Sequence, residues 1–575
     1  MIFMKKITTR LLSLVLLGAF IPSFVLAQEW DLNNGNIIVN AVPGTEQTVS
    51  QAGSTPTVDN NPVITSNGNS TNNTVTINAA ENATANVTLE NVNINTGGAA
   101  ISTSGQGNVN IELDGTNTVQ SGTNHAGVEK NSTGTLTIKD EKNNKGSLTA
   151  TGGDRGAGIG GGEDGNGSHI TIEGGTVEAT GGISGAGIGG GNNDNTVSNI
   201  GKGEHITIKD GTVTATGGDG AAGIGGGFAG AGSDITVSGG NVTATGGKDG
   251  GAGIGSGFGG SGSNIAIEGG KVEASSVGGG AGIGGGSLGS GSNITVSGGE
   301  VTAQGGVGGA GIGGGQGGSG SNITISDGKV TATGAGAGAG IGGGYEGSGK
   351  GITIEGGEVT AQGDAGGAGI GGGISGTGSD VTISGDAQVK VQGGTTGRDW
   401  HKGAAIGNGG TPTTDGNEVS PNTSDLTVEG FIQIYEPGKN INTDTPDRTI
   451  EGQKGDHSWN AGEVTTAETV PESKAAAYWV SDSQGQSIPY QAQQKDGVLT
   501  VTVQADTASL RGTTGSLRQL EAQGITGIRF VTKGAQSAFT LSDLLTSGTG
   551  SFTLTHDGDK VTFTLESTDI SGILK

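Results

Sequence analysis

A seven-residue motif, Gly156-Ala157-Gly158-Ile159-Gly160-Gly161-Gly162, recurs in close copies centred on Ile188, Ile224, Ile254, Ile283, Ile312, Ile341, Ile370 and Ile406. From Ile254 to Ile370 every step between copies is 29 residues. A period of that size marks a repeat architecture, in which one small unit cannot bury its apolar side alone and must stack on its neighbours. Whatever the protein does, it does on a solenoid.

The unit Ser292 to Gly320 shows how one coil is built. Asn293-Ile294-Thr295-Val296 leads through Ser-Gly-Gly to Glu300-Val301-Thr302-Ala303-Gln304, and Gly-Gly leads on to Ala310-Gly311-Ile312-Gly313. Alternation of apolar and polar residues is the period of a half-buried strand, and the glycines between are turn residues. With Ile294, Val296, Val301, Ala303, Ala310 and Ile312 inward, Thr295, Thr302 and Gln304 point out, and Gly311 and Gly313 are expected to leave a bare, flat strip on the third face. Three strands and three corners make one coil of a parallel β-helix, taken as right-handed by analogy with parallel crossovers. Roughly twelve coils about 4.8 Å apart would span on the order of 55 Å.

Composition supports a thin core. Only 30% of the 575 residues are hydrophobic and 3% aromatic, too few for several globular cores. The 127 glycines accompany only 10 prolines and follow no Gly-X-Y period, which excludes a collagen-like chain.

Residues 1–27 read as a secretory signal peptide. Lys5, Lys6 and Arg10 precede the apolar run Leu11 to Phe20, and Val25-Leu26-Ala27 offers a cleavage point. A cap is expected over 28–60, the β-helix over 61–436, a cap and linker containing Trp459 over 437–477, and a small α+β domain over 478–575. In that last domain the pattern predicts a strand at Val498 to Val503, a helix around Ser516 to Ala522, a strand at Ile525 to Val531 and a short helix at Leu541 to Leu545. A hairpin through Asp557-Gly558 follows. Two steps of 36 residues, Ile188 to Ile224 and Ile370 to Ile406, imply loops inserted at Asn192 to Glu204 and around Arg398, Asp399, Trp400, His401 and Lys402. Solenoid insertions collect on one face, often the binding face, which makes Arg398, Asp399, Trp400 and His401 candidate ligand contacts.

The formal charge of −26 comes with no basic stripe, so nucleic acid and anionic lipid are poor partners. An acidic surface admits Ca²⁺ as a possible ligand, though such a surface is also simply a solvated one. No run after the signal peptide is long enough to cross a bilayer. With no cysteine, disulfides, thiolate metal sites and a lipid-modified cysteine are excluded.

The motif satisfies G-x-G-x-x-G, but a dinucleotide site needs a following helix, and none follows any copy. Calcium-binding nonapeptide repeats need an aspartate where this motif has glycine. Polygalacturonate-cleaving β-helices cluster Asp with Arg, Lys or His for acid–base work, whereas Arg155 and Arg398 are the only arginines among the coils and no Asp-Asp pair occurs. The outward pairs Thr214/Thr216, Thr243/Thr245 and Thr331/Thr333 would suit ice binding, but Glu178, Glu273, Gln304 and Gln362 interrupt the column, and β-propensity accounts for threonine there. Phe228, Phe258 and Tyr345 follow the glycine motif directly; they could stack on sugar rings or fill a corner of the core.

The repeat Ile-Thr-Ile-x-Gly-Gly-x-Val-Thr-Ala-x-Gly-Gly with Gly-Ala-Gly-Ile-Gly-Gly-Gly resembles the glycine-rich β-helical repeats of secreted proteins from anaerobic gut Firmicutes. That group is similar to clostridial right-handed β-helix proteins classed as carbohydrate-binding domains, which resemble pectate lyases in fold. The likeness covers residues 60 to 435 and transfers no binding residue. The strands around Asp557-Gly558 also resemble a C-terminal module of such secreted proteins. The resemblance of the repeat implies an exported, non-catalytic protein that binds an extracellular polysaccharide or a host or cell-surface glycan, or acts as an adhesin. The alternatives are a structural surface rod displaying the C-terminal module and a cryptic polysaccharide lyase.

Overall fold

The computed structural model describes residues 28–142, 145–192, 201–395, 402–411, 426–451 apart from Glu429, and 478–575 with short interruptions. The expected signal peptide, the residues Arg398 to His401 and the linker with Trp459 lie outside the described residues.

The chain is a right-handed parallel β-solenoid of about 14 turns, more than the twelve expected. Part of the difference lies at the start, where Glu29–Asp31 pairs in parallel with Val63–Thr65 and Ile37–Ala41 with Val75–Ala79. Each coil contributes one strand to each of three parallel sheets. Two compact units divide the chain, Met1–Ile265 with Ala274–Gly289, and Ala266–Glu273 with Ser290–Lys575.

In the first unit the coil Gly203–Ile208, Thr212–Thr216, Ile224–Gly225 stacks on Gly232–Val237, Asn241–Gly246, Ile254–Gly255. Like pairs with like: Ile206 with Ile235, Val213 with Val242, Ile224 with Ile254. The second unit repeats the scheme, with Ile323 on Ile352, Val330 on Val359 and Ile341 on Ile370. Register is therefore set by columns of identical β-branched and small residues, buried completely or nearly so. A one-residue slip would turn each column to water.

The third strand departs from expectation. It is two residues long, Ile-Gly, closed by a tight loop in which the Ala310 N–H donates to the Gly314 carbonyl at 2.9 Å. Gly311 and Gly313 do not form a bare strip; both are buried. A Cβ on Gly311 would lie 2.5 Å from the Thr333 nitrogen. Gly313, at φ +133°, would place a Cβ 2.0 Å from the Gly342 carbonyl oxygen. The glycines let consecutive coils approach at backbone distance, and the strip expected to be bare is filled by the next coil's backbone.

A second column has its own backbone rule. His169, His205, Asp234 and Asn264 in the first unit, and Asn293, Asn322 and Asp380 in the second, all have φ between +51° and +55°, just before the Ile-x-Ile, Ile-x-Val or Val-x-Ile segment of the first strand. This left-handed step is cheapest for Gly and tolerated by Asn, Asp and His, the types that occupy the column.

The first coil is lidded by Thr48–Gln51, antiparallel to Ile37–Ala41, with Thr57–Val58 beyond it. Buried Trp30 anchors this end through Nε1–H to Asp59 Oδ2 at 2.8 Å. In the second unit Arg448–Glu451 runs antiparallel to Phe431–Tyr435.

Residues 478–575 hold a five-stranded and a four-stranded sheet around a core containing Phe530, Phe539, Phe552 and Phe563. Leu517 and Leu520, from the segment expected to be helical, are buried in it. The short helix runs Leu541–Ser547 with Thr540 Oγ1 accepting from the Asp543 N–H at 3.1 Å. The hairpin pairs Asp557 with Lys560.

Candidate binding edge

The residue after each glycine motif occupies a corner, and its N–H reaches back to the loop of the preceding coil. Phe228 N–H donates to the Ser184 carbonyl at 2.9 Å, Phe258 N–H to Gly220 at 2.6 Å and Tyr345 N–H to Gly308 at 2.6 Å. Side chains at this position therefore lie over the glycines of the loop between second and third strands. A Cβ on Gly220 would touch the Phe228 ring at 2.6 Å, and one on Gly308 would lie 3.3 Å from Tyr345 Cβ.

The three aromatics fill neither a core corner nor open solvent; all are half-buried. Phe228 and Phe258 stack across adjacent coils with ring centroids 5.6 Å apart and planes 5° from parallel. Exposed aliphatics border them in the same unit: Ile183 next to Ser184 is 57% exposed, and Val277 and Leu288, one coil further on, are 59% and 64% exposed. Tyr345, in the second unit, has its hydroxyl raised above the ordinary phenol range chiefly by a hydrogen bond to Glu346.

Of the insertion containing Arg398, Asp399, Trp400 and His401, only the flanks are described. There Lys402 Nζ lies 3.3 Å from Glu436 Oε2.

Sequence reasoning passed over two polar features. At Val128-Glu129-Lys130 the third strand carries two buried ionisable side chains where later coils have Ile-Gly-Gly. Glu129 Oε2 contacts His125 Nδ1 at 2.8 Å and accepts from the Ala126 N–H at 3.1 Å, while Asn131 Nδ2 donates to Oε1 at 2.8 Å. Lys130 donates to the Ser132 carbonyl at 2.6 Å, and burial pushes its amine down to about 8. The adjacent glycines of the next coil make room for these side chains; a Cβ on Gly162 would already lie 3.0 Å from Glu129. The second feature is the left-handed column, legible in retrospect from the restriction of one position to Asn, Asp, His and Gly.

Among the described residues no group of three or more His, Asp or Glu is placed to hold a metal ion. No described helix is long and apolar enough to cross a membrane.

Stacked parallel coils, a lid on the first and like-on-like columns define a β-solenoid protein. In keeping with that, the model of the β-helix repeat family matches residues 143–163, 170–192, 206–228, 235–258, 265–287, 294–316, 323–345 and 352–374. Each match ends on the corner residue, from Glu163 through Phe228, Phe258 and Tyr345 to Ile374. No curated protein and no solved structure matches the chain.

Proposed function

We propose that the protein is an exported, non-catalytic β-solenoid that binds extracellular carbohydrate along the loop edge carrying Phe228 and Phe258. The observation that carries this reading is the stacked aromatic pair, half-exposed on the same edge as the exposed Ile183, Val277 and Leu288, on a chain of net acidic charge. Aromatic rings recognise the C–H faces of pyranoses without using charge, and a coil repeat of about 4.8 Å places successive contacts along a polymer. The likeness to clostridial carbohydrate-binding β-helices and the signal-like residues 1–27 are consistent with this assignment.

Affinity electrophoresis through gels containing neutral and acidic plant polysaccharides tests it. The wild-type chain should be retarded in at least one gel, and the double variant Phe228→Ala/Phe258→Ala should run freely while keeping its far-ultraviolet circular dichroism. Equal retardation of both proteins would remove the edge as the site; no retardation of either would remove glycan binding. Release of unsaturated products from pectin would shift the assignment to a lyase.

A second reading, a rod that displays its terminal module, draws on the separate aromatic core of residues 478–575.

A further inference from the structure

We propose that His169 and His205, on adjacent coils, form a binding site for a divalent transition-metal cation such as Ni²⁺, Cu²⁺ or Zn²⁺. Both occupy the left-handed column, at φ +55° and +52°, which projects their side chains from the same bulge one coil apart. Flanking residues pair in register, Ser168 with Glu204 and Ile170 with Ile206. The rings lie with centroids 4.7 Å apart at 46°.

Imidazole nitrogens bind such metals at about 2.0–2.1 Å, so a shared ion needs two nitrogens within about 4 Å of each other. Rings at this separation reach that by turning about χ2, with no movement of the backbone. Backbone conformation explains why the column admits histidine, but not why two of the chain's six histidines occur on consecutive coils.

The next member of the column adds a carboxylate beside the pair. Asp234 Oδ2 lies 3.9 Å from His205 Nδ1, and the carboxylate is itself held by Ser233 Oγ at 3.1 Å and by Asn264 Nδ2 at 3.1 Å. At that distance Asp234 contributes a nearby negative charge rather than a hydrogen bond. His169 and His205 supply the two nitrogens, and water completes the shell. Lys202 is engaged by Glu204 at 3.1 Å, and the surrounding surface is acidic, which favours a cation.

The untagged full chain titrated calorimetrically with NiCl₂, ZnCl₂ or CuCl₂ at pH 7.5 should bind one equivalent, tightest for Cu²⁺. His169→Asn and His205→Asn keep a side chain that the left-handed step accepts. Each should weaken binding at least tenfold, and Asp234→Asn, which removes only a neighbouring negative charge, should weaken it less than either histidine variant. Loss of affinity as pH falls through the imidazole range should accompany binding in the wild type. Unchanged titrations of both histidine variants, or no binding by the wild type at millimolar metal, would overturn the proposal.

Discussion

A single methyl group separates this fold from a broken one at the third strand. Gly313→Ala would press a Cβ to 2.0 Å from the Gly342 oxygen at a φ of +133°, with only backbone able to yield. We expect it to cost more than about 3 kcal/mol, read as a lowered midpoint in urea unfolding. Gly259→Ala is the control: φ is +73°, but nothing lies within 4 Å, so it should cost only the left-handed penalty of about 1–2 kcal/mol. The column at φ near +50° gives a second test. Asn322→Val should destabilise by about 1–2 kcal/mol and Asn322→Gly by much less, a ranking that calorimetric Tm values would show.

At the scale of elements, two buried titratable groups make stability depend on pH in the same sense. His556 is fully buried, its nitrogens contacting Thr532 Oγ1 at 3.1 Å and Ser537 Oγ at 2.9 Å, with its ring against Phe530. Burial lowers its folded-state proton affinity, so the unfolded chain binds the proton first. The contribution of His556 is present above the unfolded imidazole value near 6.5 and is lost as pH falls below it. Hydrogen-exchange protection factors across Gly527–Val531 should fall at pH 5 relative to pH 7.5, and His556→Gln should flatten that dependence; equal slopes in both proteins would contradict it. Lys130, lowered to about 8, behaves likewise at higher pH: its burial is penalised below 8 and relieved between 8 and 10.5. Lys130→Met should remove the rise in thermal stability over that interval.

The strands themselves were legible. Period-two alternation placed Ile294, Val296, Val301 and Ala303 inward and Thr295, Thr302 and Gln304 outward, as the structure has them. The role of the glycine motif was not, because a neighbouring coil's carbonyl 2.0 Å from an absent Cβ cannot be seen in one coil's sequence. For the same reason Phe228 and Phe258 could not be assigned to core or surface until the loop glycines beneath them were located. The left-handed column was written in residue types but hidden by its exposure, which made Asn, Asp and His look like ordinary surface polarity.

For the molecule as a whole, a charge of −26 and an apolar edge make different predictions about salt. Binding through aromatic stacking should change little between about 0.01 M and about 1 M ionic strength, where exposed charge interactions are progressively screened. A steep salt dependence would instead place recognition on the acidic surface. The most direct test of the central claim is a glycan array probed with the wild-type chain and with Phe228→Ala/Phe258→Ala side by side. The account predicts signals on a set of related polysaccharides that the double variant loses. An array on which the variant keeps every wild-type signal, or on which the wild type binds nothing, would contradict it.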